Sequence, residues 1–245
     1  LTRSPNRATT QPLNIGKRYD TGAYFPGSID EVGLWTRALN QNEIGYLYNL
    51  DTPNTAVVNT VLDSSYSGNN GTTAAPVNNF GNTGLLTGLV SYWKEDETSG
   101  TTVASINGTN NGTAVGTTII PGKINNGRQF NGSTNYVDLG NPTSLSMAGT
   151  AFTISAWINP AAKQNSDAQI FTRPCSNGYG LHTPNNSQVE FYMWGKSGTG
   201  LLNYTFTPGQ SYHVAGVFTG SVLRVYVNGI QQGLDVSTTA LGSGN

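Results

Sequence analysis

The stretch Val222-Leu-Arg-Val-Tyr-Val-Asn-Gly-Ile-Gln-Gln-Gly-Leu-Asp235 contains two strand-like runs on either side of Asn228-Gly229. An Asn-Gly pair favours the two-residue turn whose left-handed backbone matches the twist of two antiparallel strands. In the first run, Leu223, Val225 and Val227 form an apolar set that alternates with Arg224 and Tyr226. Because successive side chains of a strand point to opposite faces, the pattern predicts a β-hairpin with one face in a core.

The same kind of pattern recurs along the chain. Asn-Gly occurs seven times, and short runs of β-branched and aromatic residues lie between many of these pairs. Turn signals spaced every 8–12 residues or so are typical of a β-sandwich or jelly roll. We therefore predict an all-β fold, an antiparallel jelly-roll sandwich. Further predicted strands are 88–93, 136–139, 152–158, 189–194 and 212–218.

Composition excludes several classes of protein. Only 10% of the residues are charged, and 12 Lys and Arg nearly balance 13 Asp and Glu, so we expect no nucleic-acid partner. No apolar run approaches the roughly 20 residues of a membrane helix, so we expect no membrane insertion. The single Cys175 excludes an intrachain disulfide framework and a cysteine-based zinc site.

One helix and one linker interrupt the strands. Asn40 followed by Glu43 forms a capping-box pattern, and Leu39 with Ile44 occupies the positions of a hydrophobic staple. This predicts a short helix near residues 40–49 that docks on a sheet. Residues 51–87 are rich in Thr, Asn, Ser and Gly, and we interpret them as a linker.

Five motifs along the chain belong together. They are Gly88-Leu-Val-Ser-Tyr-Trp93, Gly127-Arg-Gln-Phe-Asn-Gly132, Phe152-Thr-Ile-Ser-Ala-Trp-Ile-Asn-Pro160, Val225-Tyr-Val-Asn-Gly229 and Phe25-Pro-Gly-Ser-Ile-Asp-Glu-Val-Gly-Leu-Trp-Thr-Arg-Ala-Leu39. Together they resemble the laminin-G-like domains of the concanavalin A-like lectin/glucanase superfamily. The resemblance implies the same sandwich for residues 88–245. The family's closing run is similar to residues 25–39 and 43–48, which here precede the rest of the domain.

Because the closing run precedes the rest of the domain, we divide the chain into two parts on either side of the linker. We name residues 1–50 the closing segment and residues 88–245 the body, which lacks its own closing run. The chain is expected to be a fragment of a tandem array. The closing segment either completes the body of the same chain, as in a circular permutant, or completes a neighbouring copy by strand exchange. Extended at ~3.3 Å per residue, the linker could reach on the order of 110 Å.

Carboxylates do not form the pattern expected of a glucanase. Two catalytic carboxylates on one strand must be an even number of residues apart to share a face, and Asp30 and Glu31 are adjacent. Glu95 and Glu97 have the right spacing, but they precede a turn at Thr98-Ser-Gly100. We therefore predict that the protein is not an enzyme. His182 and His213 lie on separate predicted strands, which favours ordinary strand-face roles.

Calcium is the metal that the sequence favours. It prefers carboxylate and carbonyl oxygens in Gly- and Asn-rich turns, and the resemblance implies an ion at the rim of a sheet. By position in the closing and opening motifs, Asp30 and Asp96 are the candidate ligands. The alternative is that both carboxylates cap turns or accept hydrogen bonds from backbone amides.

Aromatic and polar residues on the non-core side of three predicted strands suggest a sugar-binding face, since sugar rings stack on aromatic side chains. This prediction requires that the strands share one sheet. The alternative is that the aromatic residues pack beneath loops or against each other. The candidate ligand-binding residues are Trp157, Glu190, Tyr192, Trp194, Arg224 and Tyr226.

These observations lead to one expected function and two alternatives. We expect a non-catalytic binding or adhesion module that recognises a glycan or surface glycoconjugate, in an extracellular, cell-surface or virion-surface protein. A structural spacer without a specific ligand, or an accessory domain of a polysaccharide hydrolase, would also fit the sequence.

Overall fold

The computed structural model describes residues 11–18, 23–50, 60–61, 71–72, 84–149, 151–161, 166–174, 178–196 and 198–241. Among them two antiparallel sheets pack face to face, which confirms the predicted jelly-roll sandwich. Cys175, residues 1–10 and most of the predicted linker lie outside the described residues.

The strands of sheet I are β1 (Asn14–Ile15), β6 (Thr102–Val103), β7 (Gly112–Val115), β10 (Tyr136–Asp138), β12 (Ala168–Arg173), β13 (Tyr179–Asn185), β14 (Gln188–Met193) and β15 (Gly200–Asn203). Their described order across the sheet is β15-β14-β13-β12-β1-β10-β7-β6.

The strands of sheet II are β2 (Pro26–Trp35), β5 (Leu89–Trp93), β8 (Thr118–Pro121), β9 (Asn126–Asn131), β11 (Phe152–Pro160), β16 (Tyr212–Phe218), β17 (Val222–Val227) and β18 (Ile230–Ser237). Their described order across the sheet is β18-β17-β16-β11-β2-β9-β8, and β5 also pairs with β2. A separate small pair joins β3 (Thr60–Val61) to β4 (Gly71–Thr72), and a 3-10 turn covers Thr143–Leu145.

Alternation along the strands fills the space between the sheets. On β11 the side chains of Phe152, Ile154, Ala156 and Ile158 all lie in the core, as the sequence pattern predicts. The Phe152 ring centroid lies 4.9 Å from that of Tyr179 on sheet I and 5.9 Å from that of Phe218 on sheet II. Aromatic contacts of this kind therefore join the two layers directly.

The closing segment lies inside both sheets. β1 lies between β10 and β12, and β2 lies between β11 and β9. Six of its described apolar side chains are completely removed from solvent, and they are Leu13, Ile15, Phe25, Ile29, Val32 and Leu34.

The predicted helix is α1 (Gln41–Tyr48), and it has the capping box that the sequence indicates. The Asn40 side chain accepts from the amides of Asn42 and Glu43, and the Glu43 carboxylate accepts from the Asn40 amide. Ile44 and Leu47 pack on the outer face of sheet II. They belong to a second apolar cluster that comprises Trp35, Leu39, Ile44, Leu47, Leu85, Tyr92, Ala215, Val217 and Tyr226. The helix therefore closes one outer face of the sandwich.

Candidate functional site

The six predicted ligand-binding residues lie on two different sheets. Trp157, Arg224 and Tyr226 belong to β11 and β17 of sheet II, whereas Glu190 and Tyr192 belong to β14 of sheet I, with Trp194 just beyond its end. The premise that their strands share a sheet is therefore wrong. Side-chain alternation assigns a residue to a face of its own strand, but it contains no information on which sheet that strand joins.

Helix α1 covers the sheet II group. The Trp157 ring stacks on Tyr48 of the helix, with centroids 5.6 Å apart, and Tyr226 is buried in the second apolar cluster. Arg224 is partly exposed, and its Nε and Nη2 donate to the Asp235 carboxylate at 2.9 Å and 2.7 Å. These three residues are not brought together with Glu190, Tyr192 and Trp194.

On the outer face of sheet I, five side chains form a continuous hydrogen-bonded chain, which we name the polar network. Thr172 Oγ1 lies 2.7 Å from Tyr192 Oη, and Tyr192 Oη donates to Gln169 Oε1 at 3.0 Å. Gln169 Nε2 lies 2.8 Å from His182 Nδ1, and His182 Nε2 lies 2.5 Å from Glu190 Oε2. Since Gln169 Nε2 can only donate, His182 accepts at Nδ1 and donates from Nε2 to Glu190.

A glycine makes this network geometrically feasible. In the register of sheet I, Gly180 lies between Thr172 and Tyr192. A Cβ atom on Gly180 would lie 2.5 Å from Tyr192 Oη, so the tyrosine ring crosses the strand only because the side chain is absent. All five network residues are buried, which fixes their orientation.

On the outer face of sheet I, the neighbour of Thr172 on the adjacent strand comes from the closing segment. Asn14 on β1 pairs with Thr172 on one side and with Asp138 on the other. The amide nitrogen of Asn14 donates to the Pro12 carbonyl at 3.1 Å, while its buried Oδ1 has no hydrogen-bond partner among the described residues. A buried acceptor without a partner is costly, so Asn14 leaves one unsatisfied oxygen beneath this face of the sheet.

Partly exposed aromatic rings flank the polar network on this face of sheet I. Trp194 packs edge-on against Tyr192, with centroids 6.3 Å apart. At the other side, Lys17 Nζ lies 4.0 Å above the ring centroid of Tyr136 and 5.7 Å from that of Tyr24. From β14 to β10 the surface crosses five neighbouring strands, a width of roughly 19 Å at the usual strand spacing.

The predicted metal residues Asp30 and Asp96 both bind the loop between β8 and β9. Asp30 Oδ2 accepts from the amides of Lys123 and Ile124 at 2.8 Å and 3.0 Å. Asp96 Oδ1 accepts from the Asn126 amide at 3.1 Å, and its Oδ2 accepts from the Asn125 side chain at 3.1 Å. These contacts correspond to the alternative in which the carboxylates hold backbone amides.

Two further buried carboxylates, Glu31 and Glu95, interact electrostatically with Asp30 and were not among the predicted metal residues. Burial, and then the negative charge of Asp30, raises the pKa of Glu31 to about 8, and burial raises the pKa of Asp30 to about 7. Glu95 is fully buried, and burial raises its pKa well above the ordinary range although Arg128 lowers it. Neither oxygen of Glu95, nor Oδ1 of Asp30, has a hydrogen-bond partner among the described residues.

Backbone strain accompanies these buried acids. Glu31 and Glu95 adopt φ angles of 51° and 59°, a left-handed conformation that is uncommon for residues with a side chain. Strained buried groups concentrate at functional sites, and the carboxylate oxygens of Asp30 and Glu95 that lack a described partner are of the type that binds a hard cation. Across the residues that the structure describes, no three His, Cys, Asp or Glu side chains are arranged to hold a metal by themselves. Carbonyl oxygens would have to complete such a site.

The described helices include none that is long and apolar enough to cross a membrane. A comparison with curated proteins found no match, and a comparison with solved structures found none either. A family model of laminin-G-like domains, described as the concanavalin A-like lectin/glucanases superfamily, matches residues 1–45 and 131–245. The two matched segments contribute strands to both sheets and include more than half of the chain, whereas β5 to β8 lie outside them. The chain therefore belongs to the laminin-G-like family of the concanavalin A-like lectin/glucanase superfamily.

Proposed function

We propose that the protein is a non-catalytic binding module that recognises an extended carbohydrate on the outer face of sheet I. The observation that carries the proposal is the pair of partly exposed aromatic rings, Trp194 and Tyr136, that lie at the two sides of the polar network on one sheet face. Sugar rings stack on partly exposed aromatic side chains, and neighbouring polar groups fix their orientation. The width of the surface from β14 to β10 favours an oligosaccharide over a single sugar.

The proposed absence of catalysis is supported by the state of the carboxylates. Glu97 is engaged by Arg128 Nη2 at 3.1 Å, and Glu95 is inaccessible to a polymeric substrate because it is fully buried. Glu190 is bound to His182 in the polar network. An extracellular or surface location, on a cell or a virion, is proposed on the basis of the family and the low charge.

Calcium is the proposed cofactor. Asp30 and Glu95 would hold the ion, because each has at least one buried oxygen that lacks a described partner. Both oxygens of Asp96 accept hydrogen bonds already, so Asp96 would position the adjacent loop. When bound, the ion would supply positive charge to a set of buried acids that has few cationic neighbours, and it would join the closing segment to the body.

A glycan array tests the carbohydrate proposal. We expect the intact protein to bind a subset of the oligosaccharides, and we expect Trp194→Ala to abolish that binding without changing the unfolding temperature appreciably. Tyr226→Phe is the matched control, since it alters an aromatic residue beneath α1 and leaves sheet I unchanged. Failure of the intact protein to bind any glycan would favour the spacer alternative.

A further inference from the structure

An apolar cavity lies between the two sheets where both of them end. β15 is the last strand in the described order of sheet I, β18 is the last in that of sheet II, and β15 contacts both β17 and β18. The cavity between them has a volume of about 260 Å³ and is lined mainly by apolar atoms. β15 contributes Gly200 and Leu202 to it, and sheet II contributes Leu223, Val225 and Val236.

The cavity has room for one large apolar group. A cavity of about 150 Å³ lined by apolar side chains holds benzene, and this one is larger. A Cβ atom on Gly200 would lie 2.9 Å from Val225 Cγ2, so a side chain there would close this part of the cavity. Leu201 and Leu234, which also line it, are 50% and 90% exposed. Neighbouring exposed apolar side chains of this kind mark interaction sites.

The edge strand beside the cavity lacks the features that usually prevent pairing with another chain. Such features are extreme shortness, proline, charge and bulges. Among the other strands that end the two sheet orders, β6 has two residues, β8 ends in Pro121, and β18 shifts its register on β17 and carries Asp235. β15 (Gly200–Asn203) contains neither charge nor proline, and its register with β14 is continuous.

The free edge of β15 presents main-chain donors and acceptors. The Tyr204 amide donates to the Ser187 carbonyl of the neighbouring hairpin at 2.9 Å, and Asn203 is the register partner of Gln188. Successive residues of an antiparallel strand direct their main-chain N–H and C=O groups alternately to opposite sides. Leu201 and Asn203 therefore direct these groups away from β14, where no strand pairs with them among the described residues.

We propose that β15 binds an extended peptide segment of a partner protein by strand addition, and that one large apolar side chain of that segment fills the cavity. A hydrocarbon ligand would fit the cavity but would leave the main-chain groups of Leu201 and Asn203 unpaired, whereas an added strand pairs with them. Residues in register on neighbouring strands direct their side chains to the same face, so a residue opposite Leu202 faces the cavity. The uncharged edge favours a segment without charge or proline at its centre.

Selection on the full chain from a phage-displayed library of random peptides of about nine residues, long enough for one strand, tests the proposal. We expect enrichment of peptides with an interior Leu, Phe or Trp and no adjacent proline. Leu201→Lys should abolish their capture, because it puts a charge on the receiving edge. Ile230→Lys is the matched control and should retain capture, since Ile230 is 64% exposed but does not line the cavity. If the wild type enriches no peptide, or Leu201→Lys binds the selected peptides equally well, the proposal is overturned.

A selected peptide, made synthetically, separates strand addition from simple filling of the cavity. Replacing its interior apolar residue with alanine should weaken binding about tenfold, the effect of losing one buried aliphatic side chain. N-methylation of the peptide amides that face β15 should abolish binding, and exchange of the Leu201 and Asn203 amide protons should slow in the complex. If the N-methylated peptide binds equally well, or these two amides exchange as in the free protein, strand addition is overturned. The exchange measurement uses the wild type, so it decides the question even if Leu201→Lys does not fold.

Discussion

The Trp157 ring of β11 stacks on the Tyr48 ring of α1, with centroids 5.6 Å apart and planes inclined by 26°. The two residues come from the body and from the closing segment. Their contact shows how α1 covers the outer face of sheet II, on which half of the predicted sugar-binding residues lie. It leaves the outer face of sheet I as the candidate binding surface.

We expect this stack to stabilise the docked helix. Tyr48→Ala and Trp157→Ala should each lower the free energy of unfolding, and a double-mutant cycle should give a coupling of about 1 kcal/mol, as for other aromatic pairs. Urea unfolding of the wild type, the two single variants and the double variant measures this coupling. Strict additivity of the two single effects would show that the stack contributes nothing.

Two glycine substitutions should have opposite effects. Gly45 lies within α1, and a Cβ there meets no atom within 4 Å, so Gly45→Ala should raise the free energy of unfolding by about 0.5–1 kcal/mol. Gly180→Ala would place a Cβ 2.5 Å from Tyr192 Oη. It should lower the free energy of unfolding by roughly 1–3 kcal/mol and weaken glycan binding.

Thermal unfolding and the glycan array measure both variants. Stabilisation by Gly180→Ala would contradict the close contact between Tyr192 and the β13 backbone. Destabilisation by Gly45→Ala would show that the helix needs the glycine for a contact with sheet II.

His213 should make stability depend on pH in the acidic range. Burial beneath α1 lowers the pKa of His213 to about 3, against about 6.5 in the unfolded chain, so the unfolded chain binds more protons between these values. Its contribution is complete above pH 6.5 and is lost as the pH falls towards 3. Between pH 7.5 and pH 5 the loss should be about 2 kcal/mol.

The buried acids Asp30 and Glu31 also titrate, and their raised pKa values make stability change in the opposite direction with pH. The difference between the wild type and His213→Gln therefore isolates the histidine. Chemical unfolding from pH 5 to 7.5 should show this difference shrinking as the pH falls. A difference that does not vary with pH would contradict the buried neutral state of His213.

Calcium should stabilise the wild type at millimolar concentration. At ten times its dissociation constant, an ion bound only by the folded state adds about 1.4 kcal/mol. Glu95→Gln should remove this response, because Glu95 contributes no hydrogen bond that the substitution would break among the described residues. Asp138→Asn, on sheet I, should retain it. Melting curves of the three proteins, each measured with and without calcium, test these expectations. If calcium does not shift the melting curve of the wild type, the metal proposal is refuted.

Local patterns were sufficient for the elements and their faces. The Asn-Gly pair at residues 228–229 predicts the β17–β18 hairpin, and the alternation of Leu223, Val225 and Val227 predicts the buried side of β17. The Asn40 and Glu43 pattern likewise predicts α1, because a capping box depends on residues three positions apart. These features follow from neighbouring residues alone.

The candidate site depends on contacts that local patterns do not contain. Gln169 lies where the β12 register shifts relative to β13, so simple alternation assigns it to no definite face. Glu31 and Glu95 are separated along the chain, yet β2 and β5 are adjacent strands. No pattern within either stretch identifies the other as its neighbour.

By itself, the sequence determined the fold class, the main strands and their inward faces, and the capped helix, because each is encoded by spacing over a few residues. Only the tertiary structure decided that β14 and β17 belong to opposite sheets, that α1 covers Trp157 and Tyr226, and that Asn14 lies beside the polar network. Strand neighbours are selected by complementary edges and shared burial across long separations, and a linear pattern does not record that choice.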